Sequence, residues 1–435
     1  MEYKGDERYM FDESQRIGVT ETWPELGMTS GGGLRNPGFS MWIFAILARV
    51  FHATDPVALD RSVVFMNVTA FVVLYAAITL LGGIREKETW LWGVALAAVS
   101  PIAVVLHRKI WAQCTLPLFC VLFLIGWLKR NRWEGAIVWG AMGALLGQIH
   151  MSGFFYAFGF FVWEAALGWM RHERPKTKWL GWVGGSILGS IPLVPWIKYV
   201  LSGVDKGEGW SWAEASSGRF VKTWFSDGAG LSLDYSLGRS YLDFLRWPLI
   251  GEGKDWYPAL YMHGATFCAA AFALGAAIWM CVRWLGSGGS VLKALKGSNE
   301  IAFTLGGAFF GFGVAITLSG VHIFRHYLLV TFPLEWVSFA WLAFKATKRP
   351  RSLLLVMWIA QLGLSVTFLE YIHENGGTPG GDYGPAYSPQ AGNHGRHRII
   401  PGRERENRAI FRVRAALRDA RSRVRLRACR ESLTT

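Results

Sequence analysis

Apolar runs of about 20 residues recur along most of this 435-residue chain, and that is the length a helix needs to cross a hydrocarbon core of roughly 30 Å. In such a medium every backbone polar group must be paired within the segment, so a chain of this kind crosses as helices. The composition agrees: 52% of residues are hydrophobic, 17% are charged, and 23 are Trp. The sequence therefore predicts an all-α, polytopic integral membrane protein. Apolar length and charged flanks place ten spans, at 57–83, 90–106, 113–128, 133–149, 152–170, 179–200, 258–284, 301–321, 326–345 and 352–371. Residues 39–52 are apolar but too short to span, and read as an interfacial or re-entrant helix.

Orientation follows from the basic residues. One set of short loops carries Arg85 and Lys87, then Lys129, Arg130 and Arg132, then Arg171, Arg174, Lys176 and Lys178. The same set continues with Arg283, Lys293 and Lys296, and with Lys345, Lys348, Arg349 and Arg351. The alternate loops carry far fewer, so the first set is expected in the cytoplasm. Residues 1–52 and the long loop 201–257 then lie outside, which reads as the outer face of a bacterial inner membrane. No signal peptide or spanning helix precedes residues 1–52, and a missing first helix upstream is expected.

The formal charge of +14 is concentrated at one end. Residues 396–435 hold 13 Arg against Glu404, Glu406, Asp419 and Glu431, a surplus of +9. That leaves about +5 for the rest, spread over loops as topology requires, and no nucleic-acid partner is implied. The domain is expected to end near residue 375, followed by a Gly/Pro-rich and then Arg-rich solvated tail, 376–435. The five Cys show no paired metal or disulfide spacing.

Ionisable residues at membrane depth are expensive and mark function by default. Here they gather at one face. Asp6 and Glu7 lie in the first outer segment, and Arg61 follows Asp60 at the start of the first span. His107, Arg108 and Lys109 follow the second span, and Gln148-Ile149-His150 closes the fourth. His322 with Arg325, His326 and Tyr327 lies between the eighth and ninth. Cations facing a carboxylate pair suit an anionic phosphate donor beside a general base. The plainer reading of Arg61, Arg108, Lys109 and Arg325 is snorkelling at helix ends, and that of Asp6-Glu7 a solvated acidic patch. Trp210, Trp212, Trp224, Trp247 and Trp256 in the loop 201–257 read as headgroup anchors or, as a group, as platforms for sugar rings. Tyr241 to Leu249 reads as an amphipathic helix at the interface.

The order of these motifs resembles the GT-C superfamily of polyprenyl-phosphate-sugar-dependent glycosyltransferases. It is most similar to the branch of protein O-mannosyltransferases and lipid A aminoarabinose transferases. The matching features, over about residues 4–390, begin with Gly5-Asp6-Glu7, Asn36-Pro37-Gly38 and Leu59-Asp60-Arg61. They continue with His107-Arg108, Gln148-Ile149-His150, and Arg325-His326-Tyr327-Leu328 with Pro333. The resemblance implies an inverting transfer from a polyprenyl-phosphate sugar to a lipid, glycan or protein acceptor at the outer leaflet. Asp6 would be the base, with Glu7 next in line. Arg61, Arg108, Lys109 and Arg325 would hold the donor phosphate, and His107, His150, His326 and Tyr327 would line the substrate site. The family's first helix and a soluble C-terminal domain have no counterpart here.

No cofactor is expected. The His and acid residues lack metal-ligand spacing, so a divalent ion has no support, and Arg and Lys suffice to neutralise a phosphate. A secondary transporter is the alternative from another class; it would place charges near mid-membrane on broken helices in repeated halves. Here mid-span charges are few, Glu164 and Glu335 being the exceptions. An outer-face polysaccharide polymerase or ligase shares the expected topology and lipid-linked substrates.

Overall fold

Three glycines spaced by four, Gly181, Gly185 and Gly189, decide how closely two helices approach. Each faces the helix Trp133–Ile149, and each is buried. A Cβ on Gly185 would collide with the Ile137 carbonyl, and one on Gly189 would stand 2.5 Å from the Ala141 carbonyl oxygen. Small residues at this spacing let backbones touch where lipid removes the hydrophobic drive between helices. A second close crossing sets Gly159 against the backbone of Gly311 and Phe312, and a third sets Gly93 against Val337.

The computed structural model describes residues 2–30, 33–80, 86–170, 176–205, 209–231, 244, 282, 300–378 and 383–387. The chain is mostly helical. It opens with α1 (Gly5–Arg16), a short antiparallel ribbon of β1 (Leu26–Thr29) and β2 (Arg35–Pro37), and α2 (Phe39–Val50). Then come α3 (Pro56–Leu80), α4 (Lys87–Val99), α5 (Pro101–Leu106), α6 (Leu116–Leu128), α7 (Trp133–Ile149) and α8 (Ser152–Leu167). Next are α9 (Trp179–Ser190), α10 (Val194–Ser202), α11 (Trp212–Ala215) and α12 (Arg219–Gly228). After residue 300 follow α13 (Glu300–Gly306), a π-helical stretch, α14 (Gly313–Leu318), α15 (Leu334–Ala346) and α16 (Pro350–Asn375). A ribbon of β3 (Gly377–Thr378) and β4 (Gly384–Pro385) ends the described chain.

The expectation of ten spans is met in part among the described residues. Among the described residues four helical segments are long and apolar enough to cross a membrane, Pro56–Leu80, Trp179–Ser202, Glu300–Leu318 and Pro350–Asn375. A fifth is reached if Arg325–Thr331 and Leu334–Ala346, bent by 71°, count as one span. Proline explains several shortfalls. Ser100 is extended ahead of Pro101, which divides 90–106 into α4 and α5, and Pro333 separates the two halves of 325–346. The helices α7 and α8, of 17 and 16 residues, are only about 25 Å long at 1.5 Å per residue. The expected span at 258–284 and the helix at 241–249 lie outside the described residues, apart from Val282 and Phe244. The short ribbons are a further departure from a wholly helical chain.

The described chain continues to pack past residue 375. Gly376, at φ 64°, ends α16 in the left-handed conformation that glycine adopts without strain. The chain then turns back: β3 pairs with β4, Ala386 bridges to Glu2, and the Tyr3 N–H donates to the Pro385 carbonyl at 3.4 Å. The compact unit accordingly runs from Met1 to Ala386.

At the other end of the bundle Arg130 is buried between two carboxylates, Glu164 at 2.9 Å and Glu300 at 2.8 Å. Its guanidinium lies 4.1 Å from the Trp127 ring centre. Glu164, which looks isolated in the sequence, thus has a cation.

Candidate functional site

The segment 107–111, between α5 and the turn that leads into α6, is the hub of the site. It is held by Asn67 on α3, whose side-chain amide donates to the carbonyls of His107 (2.7 Å) and Cys114 (2.8 Å). Its side chains then diverge into three different settings.

His107 and Arg108 line a cavity of about 330 Å³ together with Asp60 and Asn67. Val64, Val68, Phe71 and Val104 give it an apolar wall. Both ring nitrogens of His107, one Asp60 carboxylate oxygen and the Asn67 amide oxygen are buried without a hydrogen-bond partner. Buried polar atoms are ordinarily satisfied, and these four, on residues that line one cavity, are exceptions. Arg108 reaches the Tyr383 hydroxyl at 3.3 Å, and burial raises the pKa of that phenol.

Lys109 turns instead toward the N-terminal segment. Its ammonium is paired with Glu2 and lies 3.4 Å from Glu7, all three side chains being at most 3% exposed. Glu2 also meets Lys4 at 2.8 Å. Burial pushes Glu2 up to about 7, against the pull of Lys109 and Lys4. Glu7 further accepts the Lys4 backbone N–H at 3.2 Å, which caps α1. Asp6, one residue away, is exposed. The protein at its back and then the Glu7 carboxylate raise its pKa above the ordinary value.

The third setting is an aromatic cluster. Lys109 lies 4.9 Å from the Trp111 ring centre, and Trp111 packs on His326 at 4.9 Å. His326 in turn meets His150 at 5.7 Å and Tyr327 at 4.9 Å, and His150 meets Tyr327 at 4.9 Å. Three residues expected in a substrate site, His150, His326 and Tyr327, therefore come together, although more than 170 positions separate the first from the others.

The four expected phosphate cations do not share one setting. Arg108 lines the cavity. Arg61 is exposed and is not among the lining residues. Lys109 is met by Glu2 and Glu7, and Arg325 by Asp227 at 3.3 Å and Ser226 at 3.3 Å. The charges of Lys109 and Arg325 are thus already balanced by protein carboxylates.

Among the loop tryptophans, Trp224 is buried and donates to Ser338 at 3.1 Å, which removes it as a surface platform. Trp247 and Trp256 lie outside the described residues. Among the described residues no group of three His, Cys, Asp or Glu is placed to hold a metal ion.

Sequence reasoning missed Glu2, Asn67, Asp227 and Tyr383 as members of this region. Asn67 carried a signal, a lone amide inside an apolar run. The others had none, since their partners lie about 100 residues or more away along the chain. No family description, curated protein or solved structure matches this chain.

Proposed function

We propose that the chain is a membrane glycosyltransferase that moves a sugar from a polyprenyl-phosphate donor to an acceptor at the outer face of a bacterial inner membrane. The observation that supports this most is the two-sided cavity: Arg108, His107 and Asp60 with unpartnered polar atoms, against an apolar wall. A lipid phosphate has the same division between charged head and hydrocarbon. Its full GT-C-like span count, with helices shorter than a bilayer packed among longer ones, belongs to the same proposal.

In this reading Arg108 neutralises the donor phosphate, and Asn67 holds the segment that carries Arg108. The acceptor oxygen attacks the sugar's anomeric carbon as the carbon–oxygen bond to phosphate breaks. The bonding pair leaves with the phosphate, where Arg108 stabilises the growing charge, and the acceptor's proton passes to Asp6. Attack opposite the leaving group inverts the anomeric centre. Lys109 fixes the N-terminal segment beside Arg108, and Arg325 ties its own segment to α12.

The test is transfer of label from a radiolabelled polyprenyl-phosphate sugar in membranes, with wild type, Asp6→Asn and Arg108→Gln at equal expression. Wild type transfers label; Asp6→Asn loses about 10²-fold or more in rate, as for a missing general base; Arg108→Gln loses a comparable factor. Transfer undiminished in Asp6→Asn removes Asp6 as base, and no transfer from any donor by wild type overturns the reading.

A further inference from the structure

A second polar centre lies apart from the cavity residues, where α11 meets the segment 318–324. The imidazole of His322 hydrogen-bonds Glu214 through Nδ1 at 3.0 Å, and the other Glu214 oxygen meets Arg219 Nε at 3.0 Å. The three side chains are 32%, 22% and 43% exposed, so each keeps atoms open to solvent. Beside them Trp210 and Trp212 stand edge to face, ring centres 4.5 Å apart, and are 51% and 76% exposed. Trp210 is fixed: its indole N–H donates to the Leu318 carbonyl at 3.0 Å, and its ring covers Gly320, where a Cβ would collide with it. Phe324, itself 41% exposed, packs against the His322 ring at 4.4 Å and stacks on His326 at 5.6 Å.

We infer that Trp210, Trp212, Glu214, Arg219 and His322 form a binding subsite for a neutral oligosaccharide. Sugar recognition needs an aromatic face for the C–H side of a ring and fixed donors and acceptors for its hydroxyls, and both are present here. With its Nδ1–H given to Glu214, His322 offers Nε2 as an acceptor. Arg219 offers its remaining N–H groups as donors. The ligand is neutral because the Glu214 carboxylate and the Arg219 guanidinium cancel. A tryptophan pair can also anchor a protein in lipid headgroups. Trp210, however, spends its indole N–H on the Leu318 carbonyl rather than offering it to headgroups, which favours the sugar. The subsite suits the acceptor of the reaction proposed above, and that assignment alone rests on the glycosyltransferase reading.

The full chain in lipid nanodiscs is titrated with chitotetraose, maltotetraose and mannotetraose, binding being followed by saturation-transfer NMR and calorimetry. At least one of the three binds wild type. Trp212→Ala and Glu214→Gln each weaken that binding about tenfold, the effect of losing roughly 1.4 kcal/mol, with an unchanged thermal melt. Arg108→Gln binds as wild type does, so this result stands or falls separately from donor transfer. The inference is overturned if none of the three binds wild type, or if binding survives Trp212→Ala. Brominated lipids supply the other reversal: quenching in wild type that disappears in the Trp210→Phe, Trp212→Phe double variant would place these rings in lipid.

Discussion

Lys109 and Glu2 form an ion pair whose side chains are 3% and 1% exposed, and Glu7 approaches the same ammonium at 3.4 Å. One cation thus holds two buried carboxylates at the start of the chain. Removing one partner of a buried pair leaves uncompensated charge, at a cost of about 3–5 kcal/mol. Lys109→Met is expected to lower unfolding free energy by that order in detergent. Glu2→Gln, which leaves Lys109 with Glu7, costs clearly less. Equal losses in denaturant titrations would show that the cation is not shared in this way.

Glu2 gives the protein a stability that depends on pH. Burial raises its pKa from 4.5 to about 7, so between those values the folded state binds the proton and the unfolded state does not. Stability then falls as pH rises through that window and levels off above about 7. The full shift corresponds to about 3 kcal/mol at 1.36 kcal/mol per unit. Melting temperatures from pH 4.5 to 8, for wild type and Glu2→Gln, test this: the slope assigned to Glu2 is absent from the variant.

The glycine seam between α7 and α9 has an internal control. Gly185 faces the Ile137 carbonyl, whereas a Cβ on Gly184 meets nothing within 4 Å. Gly185→Ala forces the helices apart and is expected to destabilise by about 1–3 kcal/mol, the usual cost of overpacking. Gly184→Ala removes a helix-interior glycine in open space, so it is neutral or stabilises by several tenths of a kcal/mol up to about 1. Thermal unfolding of the two single variants side by side reads the difference.

Tyr383 fills two roles that substitution separates. Its ring is buried at 1% exposure and packs against Phe368 at 6.1 Å, while its hydroxyl meets Arg108. Tyr383→Phe keeps the packing and costs about 1.5 kcal/mol, the low end for a hydrogen bond to a charged group, as its length of 3.3 Å suggests. Tyr383→Ala costs about 3 kcal/mol or more for a vacated aromatic site. Denaturation of both variants checks the order.

What could be read from the sequence was what repeats locally. The long apolar runs found α3, α9 with α10, and α16, because length and hydropathy are properties of a single segment. Clustering of polar residues at one face anticipated that His150, His326 and Tyr327 would meet. Pairing was not legible. Arg325 looks like a helix-end cation until Asp227 is seen beside it, and Lys109 looks available until Glu2 and Glu7 close on it. Such contacts depend on how helices cross, which here is set by glycine seams and proline breaks rather than by the residues that end up paired. The return of residues 383–386 to the N-terminus was hidden for the same reason: Gly and Pro mark a turn without saying where the chain goes next.

That return has a consequence for the order of synthesis. Glu2 is made before α16, yet its bridge partner Ala386 is added only after α16 is complete. A ribosome still working on α16 therefore carries a chain with the Lys109 partners already made and their neighbouring β-bridge still absent. The two ends of the unit can meet only once α16 is made, so the contact of Arg108 with Tyr383 closes later than the helices that carry Arg108 into place.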